Sequence, residues 1–180
     1  MKATTPILAL ALALVASASL ATADTAELQV VHNAADPAAA VVDVYVDGDL
    51  TLDDFAFRTA TPFLEVPADV ELAIGVAPAS SQGPDDILAT IPVTLAGGER
   101  YVAVANGVLD PAAFAPNPDG RDIGFTLFAA DGIRTRTFPG LVKLKTLHGA
   151  SDAPAVDVKA RTRFGDLTLW PGLAYGDFGA

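Results

Sequence analysis

Apolar residues recur at every second position through most of this chain, and no stretch beyond residue 23 carries a helical stripe of three turns. Val42, Val44 and Val46 alternate with Asp43, Tyr45 and Asp47; Val70, Leu72, Ile74 and Val76 alternate with Glu71, Ala73, Gly75 and Ala77; Ile91, Val93 and Leu95 alternate with Thr90, Pro92 and Thr94. A period of two sends successive side chains to opposite faces of a strand, so these segments are expected as half-buried strands. The same reading places strands at 28–33, 101–106, 123–129 and 142–148, with shorter ones at 50–52 and 63–66. Asp47-Gly48, Gly97-Gly98 and Asp131-Gly132 suit turns that need positive φ. Pro92 has no N–H to give a ladder, which assigns its strand to a sheet edge or a bulge. Residues 110–114 form at most one short helical turn after Pro111. Seven or more short strands separated by Pro and Gly predict an all-β fold, an antiparallel immunoglobulin-like β-sandwich.

Residues 1–23 read as a signal peptide. Lys2 supplies the positive start, residues 7–16 the apolar stretch, and Ala21-Thr22-Ala23 the small-residue cleavage site, which would leave Asp24 as the new N-terminus. The apolar run is too short for a retained anchor, so no membrane span is expected after cleavage. Location is then exported: periplasmic, cell-surface or extracellular. The chain has no cysteine, hence neither a lipid-attachment thiol nor a disulfide framework. Its fold must rest on its core. With Lys2 removed, 10 basic residues stand against 22 acidic ones, a net charge of −12, which repels nucleic acid and anionic lipid.

The stretch VVHNAADPAAAVVDVYVDG, beginning at Val30, has an imperfect copy beginning at Thr146, TLHGASDAPAVDV. His32 corresponds to His148, Asp36 to Asp152 and Asp43 to Asp157, at offsets of 116 to 114, so the repeating unit is a domain and not a solenoid turn. The organisation expected is a signal peptide at 1–23, a β-sandwich domain at 24–130, a linker at 131–143 and an incomplete second copy of the same domain at 144–180. Strands cut off from the rest of a sandwich would expose long edges. A fragment of a two-domain protein explains this best; the alternatives are docking on the first unit and pairing with another chain.

These residues resemble domain-of-unknown-function family 4397, whose members open with a strand ending in V-H-x-S-P-D-A-P-x-V-D-V-Y-V-D-G and continue with a segment of the type L-x-F-G-T-x-T-x-Y-x-x-L-P-A-G. The first copy supplies VVHNAADPAAAVVDVYVDG and FAFRTATPFLEVPAD; the second supplies TLHGASDAPAVDV. The first copy departs from the pattern at Ala34-Ala35, in its alanine run, and at Asp69, where a turn glycine is usual. The resemblance implies a secreted bacterial or archaeal all-β sandwich, often in tandem, of unassigned biochemical function. No catalytic residue comes with it.

His32, Asp36 and Asp43 are nitrogen and oxygen ligands of the kinds zinc or manganese accept. Parity opposes convergence, since His32 follows Leu28 and Val30 on the inward face while Asp43 points outward. One histidine per unit is also few for a tetrahedral site. The simpler reading has His32 and His148 end a strand with the imidazole bonded to loop backbone, and Asp36 and Asp152 make Asx turns beside proline. Asp53-Asp54 and Asp85-Asp86 are adjacent, so their side chains should diverge, and neither has calcium-loop spacing; the stretch at 117–122 suits a turn as well as a calcium site. With no cysteine, two histidines in matching positions and no G-x-S-x-G, no catalytic, cofactor-binding or metal residue is assigned. The function expected is a non-catalytic exported binding module acting on an unknown envelope protein or surface polymer. The alternative is a metal-dependent or carboxylate-dependent extracytoplasmic hydrolase using His32, Asp36 and Asp43.

Overall fold

A computed structural model describes residues 24–134 and 136–179. The signal peptide expected at 1–23 lies outside the described residues. Eight strands form two four-stranded sheets. One has the order β4-β1-β7-β8, from β1 (Thr25–His32), β4 (Leu64–Pro67), β7 (Arg100–Asn106) and β8 (Thr126–Ala130). The other has the order β3-β2-β5-β6, from β2 (Val41–Val46), β3 (Asp49–Ala56), β5 (Glu71–Pro78) and β6 (Ala89–Thr94). Pro92 lies in β6, an edge strand, as its missing N–H requires. All pairings in these sheets are antiparallel except β1 with β7, which run parallel from Glu27 opposite Arg100 to His32 opposite Ala105. The alternation pattern carries no information on strand direction, so this departure from an all-antiparallel sandwich could not be read from it.

The two inward faces make the core. Val42, Val44, Leu72, Ile74 and Val76 are buried from the second sheet, with Phe125 and Leu127 packed against them. Ala26, Leu28, Leu95 and Ala103 form a second cluster, and Val66 and Val93 touch both. Positions expected to point outward are also covered. Asp43, Tyr45, Gly75 and Ala77 are all buried, and Gly75 lies beneath Ile87, whose Cδ1 would sit 2.6 Å from a Cβ placed there. Segment 79–88, with its short 3₁₀ turn Pro84–Asp86, therefore folds over the outer face of β2 and β5.

Beyond the sandwich, 142–148 was expected as one strand, but only β9 (Thr146–Leu147) forms. Among the described residues it pairs with β12 (Phe178–Gly179), Leu147 opposite Phe178 and Thr146 opposite Gly179. β10 (Val156–Thr162) and β11 (Gly165–Leu173) make a hairpin. This C-terminal segment docks on the first unit. Tyr175 joins Val108 and Ile123 in a buried cluster and meets Phe128 edge-on at 5.6 Å. Asn106 Nδ2 donates to the Gly149 carbonyl, Asn117 Nδ2 donates to those of Ser151 and Ala153, and Arg121 pairs with Asp177. Docking is one of the two alternatives to the fragment reading of this segment. No helix among the described residues is long and apolar enough to cross a membrane.

Tyr175 gives a test of the docking. Its ring is 2% exposed, while its hydroxyl has no hydrogen-bond partner among the described residues. Tyr175→Ala should cost about 3–5 kcal/mol in denaturant unfolding and speed proteolysis beyond Leu144. Tyr175→Phe should be neutral or stabilising, because it removes a buried polar atom that nothing pairs. Equal losses in both variants would show that the ring packing does not hold the C-terminal segment.

Candidate functional site

His32 ends β1 where the chain leaves one sheet for the other, and its side chain is 1% exposed. A carbonyl can only accept, so Nε2 carries the proton it donates to Ala39 O at 2.8 Å. Nδ1 is then the acceptor for the Ala34 N–H, at 3.4 Å. The ring packs against Phe55 and Phe57, at 5.6 and 6.0 Å between centroids. Burial pulls its pKa below the ordinary value and outweighs the opposing bond to Ala39. The neutral imidazole is a strut across its own loop.

Asp36 caps the 3₁₀ turn Pro37–Ala39, accepting from Ala38 N on Oδ1 and, across the molecule, from Leu109 N on Oδ2. The later motif repeats part of this wiring. His148 Nε2 donates to Pro154 O at 2.9 Å, and its Nδ1 accepts from Ala150 N at 3.3 Å. Asp152 differs from the Asx turn expected for it: it is exposed and caps no turn among the described residues. It lines a cleft of about 400 Å³ with Asn106, Gly149 and Ser151. No proline follows Asp152 directly, as Pro37 follows Asp36, to start such a turn.

Asp43 lies on the far face of the second sheet and is 2% exposed. Opposite it β3 carries an extra residue: Val42 pairs with Phe55 and Val44 with Leu52, which leaves Asp53 and Asp54 against Asp43 alone. Asp54 has φ +52°, and its N–H donates to Asp43 Oδ1 at 3.0 Å. Ser81 Oγ donates to Asp43 Oδ2 and also meets Tyr45 Oη at 2.8 Å. These bonds, the one from Ser81 foremost, hold the Asp43 carboxyl below its usual range despite burial. Asp157 serves the second hairpin alike, accepting from Gly172 N, where φ is +61°.

Asp53 and Asp54, expected to diverge, do not. One oxygen from each lies within 4.8 Å of the other and of Asp43. A bulge turns two successive residues toward one side, which strand parity forbids. The structure thus unites Asp43, Asp53 and Asp54, with Ser81 and Tyr45 behind them, and sets this group on the face of the second sheet opposite the core. His32 points into the core from the first sheet, so His32, Asp36 and Asp43 do not share a cleft. Sequence reasoning missed Ser81 and Tyr45. The one signal that could have found them is Gly75 and Ala77 at outward parity beside Asp43 and Tyr45, small residues that leave room for a covering segment.

The model of a family described as Domain of unknown function (DUF4397) matches residues 26–159, well over half the chain. The match starts in β1, runs through the stretch at 131–143 and ends in β10, so it takes in both His-Asp motifs. No curated protein and no solved structure matches the chain.

Two titrations follow from these bonds. With its folded pKa below the ordinary 6.5, His32 binds a proton more readily in the unfolded chain, so its contribution to stability is complete above about pH 6.5 and declines as pH falls toward the folded value. Denaturant midpoints from pH 7.5 to 5 should fall for the wild type and stay flatter for His32→Gln. Asp43, also depressed, stabilises above the ordinary 3.8 and loses that effect as pH falls through its lower folded value. Asp43→Asn should therefore be less stable at pH 7, by about 1–3 kcal/mol for a buried bonded group. The gap should close in strong acid, and a gap unchanged from pH 7 to pH 2 would refute the assignment.

Proposed function

The chain belongs to the DUF4397 family, and from that premise we propose that it is an exported, non-catalytic binding module of the cell envelope or cell surface. One observation carries the reading. The side chains that chemistry would need are engaged inside the fold: both nitrogens of His32, both oxygens of Asp36 and both oxygens of Asp43 hold loop or bulge atoms. They serve as struts. The leader-like start of the chain supports export, and its acidic balance favours partners other than nucleic acid or anionic lipid. The partner class is an envelope protein or a surface polymer.

The hydrolase alternative draws no support from the geometry, because its three residues lie on different faces and in different bonds. The mature chain, residues 24–180, should bind a member of a panel of envelope proteins and surface polymers while failing a broad hydrolase screen and holding no stoichiometric zinc or manganese by elemental analysis. Hydrolysis by the pure protein, abolished in a folded Asp43→Asn variant, would overturn this reading.

A further inference from the structure

Three of the four residues that β7 and β8 contribute to the space between the sheets are alanines. Ala103 and Ala105 line the inner face of β7, and Ala129 stands with Leu127 on β8. The second sheet lines the same space with valines, Val42 and Val44 among them, and with larger side chains such as Leu72 and Ile74. Packed sheets stand about 10 Å apart, a distance set by backbone twist and by the larger side chains elsewhere in the layer. The short alanine side chains leave part of that distance unfilled. The result is a cavity of about 250 Å³ between the sheets, whereas natural cores keep few voids larger than a water molecule.

Its wall is almost wholly carbon. The one ionisable member is His32, whose nitrogens both face Ala34 and Ala39, and the one hydroxyl is that of Thr51, which donates to Asp49 O at an exposed edge, so the interior offers no free donor to a polar guest, and a charged one would be desolvated without a partner. Thr51, Pro92 and Ala129 are the wall's exposed members, and all three sit on edge strands, which places access at the sheet edges.

We propose that this inter-sheet space is a binding site for a compact, uncharged hydrocarbon. An apolar cavity of about 150 Å³ takes up benzene or xenon, so by volume this one suits a guest of roughly ten carbon atoms, such as an alkylbenzene. The site is independent of the surface-binding reading above, and either can fail alone.

The test uses the mature chain with n-butylbenzene as probe and 4-phenylbutylammonium, a charged relative, as control. Butylbenzene should raise the thermal midpoint saturably and give nuclear Overhauser contacts to the methyls of Val44, Val76 and Leu127. The ammonium should do neither. Ala103→Leu and Ala105→Val, which fill the space in separate variants, should weaken butylbenzene binding at least tenfold. Absence of those contacts in the wild type would overturn the proposal whatever the variants do. So would a folded filled variant that binds as tightly as the wild type.

Discussion

The burial of Val42, Val44, Leu72, Ile74 and Val76 against the sheet opposite is the interaction on which the remaining features depend. Nothing else ties the two sheets together with comparable strength. There is no cysteine to cross-link them, and the ion pairs present, such as Arg121 with Asp177, sit at partly exposed positions where such pairs contribute little. At about 25 cal/mol per Å² of apolar surface removed from water, only the contact between sheets is large enough to offset chain entropy. Each polar device in the molecule can accordingly be understood by what it does for that contact.

The bulge at Asp53-Asp54 is one such device. It bends an edge strand while Asp43 takes up the N–H that the extra residue would leave without a ladder partner. Ser81 then ties segment 79–88 to the same carboxylate, which brings Ile87 over Gly75 and closes the outer face. An outward aspartate in a strand thus becomes a buried anion, kept ionised by the Asp54 N–H of the neighbouring strand and by a serine hydroxyl.

The strands were legible in the sequence because the sandwich has one common inward face, and an inward face imposes a period of two on every strand that contributes to it. Val42, Val44 and Val46 announce themselves in this way, and so does His32 by sharing parity with Leu28 and Val30. What depends on pairing between distant segments left no local trace. The parallel match of β1 with β7 joins residues more than 70 positions apart, and the convergence of Asp53 with Asp54 arises from a register shift that neither residue specifies. The cover over Asp43 likewise needs Ser81, 38 residues away. Tight local devices were partly legible: the Asx cap at Asp36 appeared as expected, but the one expected at Asp152 did not.

Both His-Asp motifs stand at the same kind of place, where the chain leaves one sheet for another: β1 and β2 belong to different sheets, and so do β9 and β10. A sheet change buries a corner whose N–H and C=O groups have no ladder to join, and a buried unpaired backbone group costs about as much as a lost hydrogen bond. A neutral imidazole answers this well, since it donates on one edge and accepts on the other across a rigid ring. His32 does so for Ala39 O and Ala34 N, and His148 for Pro154 O and Ala150 N. Protonation would turn the accepting Nδ1 into a second donor facing an N–H. The chemistry that makes histidine useful in a catalytic site, one proton shared between two nitrogens, is here used to hold a corner, and it works only while the ring stays neutral.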